Sequence, residues 1–311
     1  MIEILATIAP IFVIILLGLA ARKMGFVPTE FLAPANRLVF YIAIPAIIFR
    51  SISKASLHQE FDLGILSISL AAIFVVFLLS WGLAFLISPR EPGKFSGRGT
   101  FVQTSCHGNL GYIGLAVSYY ALGQAGLTKA SIYAGFIMIL QNILAVFILQ
   151  FFSDRPEIKG NSRVILKRIL GNPVIFSSMA GMLVSWLGVP IPKIIDQSLQ
   201  ILAGMSLPLA LLIIGASLSF DVVWLKLAAA LGSGALKLMV MPAAGFLGFQ
   251  LMGKAPQSYM PALILLAAPT ATLAYVMARE IDGDTELAVA AISINTLLSA
   301  LTYVFWMKIA G

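Results

Sequence analysis

Residues 101–123, FVQTSCHGNLGYIGLAVSYYALG, make an apolar stretch long enough to cross a bilayer, interrupted in its middle by Cys106, His107, Gly108, Asn109 and Gly111. A helix in lipid must satisfy its own backbone groups, so a Gly-Asn interruption at mid-depth is tolerated only where the backbone is enclosed by protein or lines a cavity. The stretch therefore reads as a discontinuous helix. A second interruption, Ala268-Pro269-Thr270-Ala271-Thr272, stands at the matching place in the second half of the chain, within MPALILLAAPTATLAYVMARE. Two broken helices in corresponding halves are the pattern of a secondary transporter's binding site.

The bulk composition agrees with a chain immersed in lipid. Of 311 residues 60% are hydrophobic and 11% charged, with a mean hydropathy of +0.99, whereas soluble domains are about 25% charged. Apolar runs of the ~20 residues a spanning helix needs recur along the whole chain, which selects helices over barrel strands. The fold class expected is all-α integral membrane. A pI of 9.6 would suit nucleic acid, but the basic residues sit in short loops between apolar runs, and no nucleic-acid partner is expected. One cysteine, Cys106, leaves no intrachain disulfide and no Cys-rich metal site. The apolar run from Ile4 to Ala21 follows Glu3 and has no basic leader, so it reads as a first span and not as a signal peptide.

Ten spans are expected, near 2–21, 33–52, 63–87, 101–122, 128–152, 172–188, 197–219, 224–251, 257–279 and 286–308. The polar connection SDRPEIKGNSRVILKRILGN begins at residue 153 and divides them into two sets of five: residues 1–152, a linker at 153–171, and residues 172–311. Orientation follows from Lys and Arg. With the N-terminus outside, the inner loops carry Arg22, Lys23, Arg90, Lys94, Arg98, Arg155, Lys159, Arg163, Lys167, Arg168, Lys226 and Arg279, twelve against six on the other side. Both termini are thus expected to be extracytoplasmic in a multi-pass protein of the cell membrane. An odd number of spans per half makes the second half inverted. Pro45 in span two and Pro208 in span seven occupy similar places in the two halves and are read as kinks.

Several motifs, in order, resemble one family. Asn36-Arg37 with Pro45, Asn172-Pro173 followed by Pro192-Lys193-Ile194-Ile195 and Gln197-Ser198, Gly108-Asn109 followed by Gly114, and Pro269-Thr270 with Ala278-Arg279-Glu280 are similar to the auxin efflux carrier family. That family includes the plant PIN-FORMED carriers and bacterial proteins assigned to malate and malonate. The resemblance implies a ten-helix fold like that of the bile acid symporters, with crossed, broken helices four and nine. It also implies a homodimer that moves small organic anions by an elevator motion, with spans one, two, six and seven as scaffold and spans three to five and eight to ten as transport bundle. Departures concern the substrate. Gly108 stands where plant members have proline, Ala116 stands where many have proline, Thr270 replaces an amide, and the long cytoplasmic loop of many plant members is missing.

The candidate substrate-binding residues are His107, Gly108, Asn109, Gln141, Asn142, Pro269, Thr270 and Ala271. Asn109 leads, because its amide can donate and accept where half-helix N-termini face an anion; the bland alternative is a capping amide. Gly108, Gly111 and Pro269 supply the breaks. Gln141 and Asn142 fall mid-span, a costly place for amides unless they face protein or water. The resemblance favours Gln141. Lys237, at the centre of span eight, either faces the site or snorkels from a helix that starts late. His107 is a candidate proton carrier, and Arg279 with Glu280 are gating candidates on the resemblance or interfacial anchors on chemistry alone. All thirteen acidic residues fall in loops or at span ends, which disfavours a sodium/proton exchanger. No metal, cofactor or enzyme motif is expected, and the coupling ion, proton or sodium, is left open. The expected function is secondary transport of small organic anions; the alternatives are a sodium-coupled symporter of the bile acid type and a transporter-like sensor that binds without moving its ligand.

Overall fold

The computed structural model describes residues 2–56, 60–86, 95–155, 166 and 170–311. The inner-loop basic residues at 90, 94, 159, 163, 167 and 168, and most of the 153–171 linker, lie outside them. Helices form almost all of what is described: α1 (Ile2–Lys23), α2 (Thr29–Ser53), α3 (Leu63–Ala84), α4 (Ser96–Cys106), α5 (Leu110–Phe151), α6 (Pro173–Leu187), α7 (Lys193–Ser217), α8 (Val223–Leu251), α9 (Pro256–Leu266), α10 (Leu273–Glu280) and α11 (Thr285–Ala310). Seven of these, α1, α2, α3, α5, α7, α8 and α11, are long and apolar enough to cross a membrane. α6 is apolar but shorter. Among the described residues no strand forms apart from one isolated bridge.

Local chemistry sets the helix ends. The Asp62 carboxylate caps α3 by accepting from the amides of Gly64 and Ile65, Asn172 caps α6 from the amides of Val174 and Ile175 with Pro173 behind it, and Asp284 caps α11 through Leu287. Each leaves fewer of the first-turn amides unpaired. Gly188 closes α6 in the left-handed region at φ 63°.

The 42 residues of α5 would reach about 63 Å as a straight helix, twice the hydrocarbon thickness. They do not run straight. Gly123 turns the chain at φ 67°, ψ −161°, and a Cβ placed on Gly126 would lie 2.9 Å from the Ser118 carbonyl oxygen, eight residues away and about 12 Å distant in an unbroken helix. Its first arm runs beside α2, where the Tyr112 hydroxyl donates to Asn36 Oδ1 at 2.6 Å, and just past the bend Gln124 donates to Ser51 of α2. Its second arm returns to α4, where Ile148 and Phe152 pack on Gly99. The sequence-based spans four and five correspond to these two arms with α4, but α4 starts at Ser96, five residues early, because the polar first turn SGRGT is helical despite its low hydropathy.

Without a hydrophobic drive between helices in lipid, close packing depends on small residues. α1 and α7 cross at two glycines: a Cβ on Gly215 would stand 1.7 Å from the Ile15 carbonyl oxygen, and one on Gly18 would stand 2.1 Å from that of Leu212. α2 packs on α6 and α7, and Gly181 of α6 admits Ile52 and the Phe49 carbonyl. α8 packs on α11, and α3, α4 and α5 pack on one another. Besides the π turn Leu110–Gly114 that opens α5, two π turns among the described residues stand just before a proline, Val39–Ala43 in α2 before Pro45 and Leu236–Val240 in α8 before Pro242. A proline takes an amide out of the ladder and crowds the preceding turn, and a widened turn accommodates both. Pro208, by contrast, sits on an exposed side of α7, which continues as α-helix through it.

Candidate functional site

α4 ends at Cys106 because His107 is extended (φ −92°, ψ 100°), and Asn109 (φ −79°, ψ 69°) is not helical either. α9 ends at Leu266, and α10 begins at Leu273. The two breaks lie against each other. The Asn109 amide donates to the Pro269 carbonyl at 2.7 Å, the Ala271 amide donates to the His107 carbonyl at 2.9 Å, and Gly108 opposes Thr270 in a short antiparallel bridge. Each break thereby supplies part of what the other lacks, and both are buried.

Side chains from other helices complete the joint. Gln141, on the second arm of α5, donates from Nε2 to the Cys106 carbonyl at 3.1 Å and accepts the Gly108 amide at 3.3 Å, so it splints the two sides of the first break. Thr270 donates to the Thr104 carbonyl at 2.9 Å and accepts from Asn295 Nδ2 of α11 at 2.7 Å. The Lys237 ammonium, in the π turn of α8, donates to the Leu266 carbonyl at 2.6 Å, a group left over at the C-terminal end of α9. It also presses on the first break: a Cβ on Gly108 would meet Lys237 Cε at 3.0 Å and Nζ at 3.1 Å.

The joint therefore gathers His107, Gly108, Asn109, Gln141, Pro269, Thr270, Ala271 and Lys237. Asn109 is 6% exposed, its side chain makes no capping bond to the turn it precedes, and its Nδ2 has no hydrogen-bond partner among the described residues. The capping role weighed against substrate contact does not fit that geometry. Nor does snorkelling fit Lys237: α8 starts at Val223, and the side chain is fully buried. Asn142 Nδ2 donates to the Met138 carbonyl, one turn back on its own helix. Gly111 lies in the turn after the break, against Met138 and Ile44. Arg279 and Glu280 are exposed at the far end of α10.

Four further polar residues of α4 and α11 are absent from the candidates drawn from sequence. Gln103 is fully buried with both amide atoms unpaired among the described residues, Asn295 has an unpaired Oδ1, Thr296 has an unpaired hydroxyl, and Thr104 contributes the carbonyl that Thr270 reaches. The rule that singled out Gln141, an amide at mid-span, applies equally to Gln103 and to Asn295-Thr296. A separate hollow of 390 Å³ lies between the end of α2 and the start of α7, lined by Ser53, Lys54, Val189, Pro190, Ile191, Lys193 and Asp196, none of them part of the joint.

The model of the family described as membrane transport protein matches residues 3–307, as the resemblance to the auxin efflux carriers leads one to expect. A Rhizobium meliloti protein named "Putative malonate transporter" is 25% identical over 307 residues, covering 97% of this chain and 94% of that protein. A Methanothermobacter thermautotrophicus protein named "Uncharacterized transporter" is 27% identical over 307 residues, with 96% of each chain covered. The Escherichia coli K12 protein named "Uncharacterized transporter YfdV" is 23% identical over 310 residues, with 97% and 96% covered.

Proposed function

Because the chain belongs to the membrane transport protein family, we propose that it is a secondary active carrier of small organic anions, with its substrate held where the two helix breaks meet. The observation that carries this reading is the joint itself: broken helices paired through Asn109, Pro269, His107 and Ala271, beside a buried amide donor with no partner among the described residues. Idle donors and helix N-termini attract a carboxylate. The malonate named for one relative makes short carboxylic acids the first class to try.

On this reading α4 with the first arm of α5, and α9 with α10, are the two crossed spans of a ten-helix inverted repeat. The halves are residues 1–152 and 172–311, and both termini are extracytoplasmic in the cell membrane. The glycine crossing of α1 and α7, with α2 and α6 against them, supports a scaffold of spans one, two, six and seven past which the bundle of spans three to five and eight to ten slides; two copies form a homodimer, surrounded by lipid. The test is counterflow of labelled malonate and other short carboxylates in proteoliposomes. Uptake by wild type that falls at least tenfold in Asn109→Ala supports the reading. Binding to purified protein with no flux supports the sensor instead, and flux that collapses without sodium supports the bile-acid-type symporter.

A further inference from the structure

We propose that Lys237 is a resident counter-ion for the substrate, so that the joint accepts one ionised carboxylate and disfavours a dianion; the proposal rests on the carrier reading above and names its substrate by charge.

The ammonium is fully buried near the middle of α8, in a region where charge is costly and is retained for a task. Among the described residues no carboxylate pairs with it; the ion pairs formed by Lys226 and Lys254 lie at helix ends and that of Lys129 shortly after the bend in α5. Its partner is the carbonyl of Leu266, which carries partial charge only. One bond to a carbonyl occupies one of three protons.

Capping the end of α9 is a task that a neutral amide would perform equally well, as Gln141 does at the other break. What a lysine adds is a whole positive charge. That charge sits against Gly108, and the adjacent residue, Asn109, offers a buried Nδ2 with nothing to donate to. An ammonium with protons to spare and an idle amide are both donors, so their combined deficit is an acceptor. A carboxylate is an acceptor with a full negative charge, and it pairs with the lysine in its ammonium form. A second carboxylate on the same molecule would meet no second lysine or arginine: among the residues gathered at the joint Lys237 is the sole one, His107 is the one other basic side chain there, and Arg279 is exposed at the far end of α10. Charge balance in a low-dielectric site thus favours a monoanion over a dianion of the same shape.

The test is a binding series at fixed pH on detergent-purified protein, read by calorimetry, with malonate (dianion), its monoamide malonamate (monoanion) and malonamide (neutral). The monoanion is expected to bind about tenfold or more tightly than either companion. Lys237→Arg is expected to keep that order and Lys237→Met to erase it, with size-exclusion profiles reporting on folding. Malonate binding as tightly as malonamate to wild type overturns the proposal, with no variant needed. Unchanged malonamate affinity in Lys237→Met overturns it too; if Asn109→Ala then abolishes binding, the site at the joint stands without its counter-ion, and if Asn109→Ala also changes nothing, the site itself is misplaced. Binding by none of the three overturns the proposal regardless of the flux result for other anions.

Discussion

Replacing Gln141 with leucine isolates the splint that holds the first break. The side chain satisfies two backbone groups at once, the Cys106 carbonyl and the Gly108 amide, and both lie where water does not reach. Leucine fills a similar volume but can satisfy neither. An interhelical side-chain bond in lipid contributes on average about 0.6 kcal/mol, since loosened helices find other partners. Here the loss falls on the folded state, where two buried groups are left orphaned at about 1–3 kcal/mol each, so a cost of about 2–6 kcal/mol is expected. On a scale of about 2 °C per kcal/mol for a chain this long, the midpoint of thermal unfolding in detergent should fall by about 4–12 °C. Asn142→Leu is the internal control. That side chain gives up one bond within its own helix, about 1 kcal/mol or less, and should lower the midpoint by about 2 °C. If the two variants melt together, Gln141 does not splint the break, and the account of how the joint is held fails.

Three further outcomes follow from other parts of the molecule. Gly215→Ala drives a methyl into the Ile15 carbonyl, a backbone group that moves only if α1 and α7 separate; loss of the monodisperse peak in size-exclusion chromatography is expected, whereas Gly204→Ala, with open space around it, should be silent. At the start of α3, partial burial works against the Asp62 charge, but the Lys254 ammonium and the amides of Ile65 and Gly64 outweigh it and hold the carboxyl below its ordinary value of 3.8. A lowered folded-state value stabilises above pH 3.8 and is lost as pH falls through it, so Asp62→Ala should cost about 0.5–2 kcal/mol of cap stability at neutral pH, and its melting gap to wild type should close in acid; a gap constant down to pH 3 would count against the cap. For His107, rates of carboxylate uptake measured over roughly pH 5.5–7.5 should flatten in His107→Gln, and an unchanged profile would remove this histidine from proton coupling.

Much of the membrane character was written locally. Long apolar runs, loops rich in Lys and Arg, and the helix-breaking chemistry of Gly108, Asn109 and Pro269 are properties of short segments, and lipid leaves few alternatives for an apolar run of ~20 residues. Both breaks could therefore be located from residue types alone. Their meeting could not, since the bridge between Gly108 and Thr270 joins segments more than 160 positions apart. The roles of the neighbours were also undecided: Gln141 and Asn142 are adjacent and chemically alike, yet a helix turns 100° between them, which aims one at the break and the other at its own backbone. Lys237 could read as an interfacial anchor until its distance to Leu266 was known. Gln103, Asn295 and Thr296 meet the same mid-span rule as Gln141, and only the packing shows that each keeps a side-chain atom without a partner among the described residues. Segment chemistry thus determined where the chain enters lipid and where its helices break, while tertiary packing decided which donors are consumed by the fold and which, Asn109 foremost, are left without a partner among the described residues.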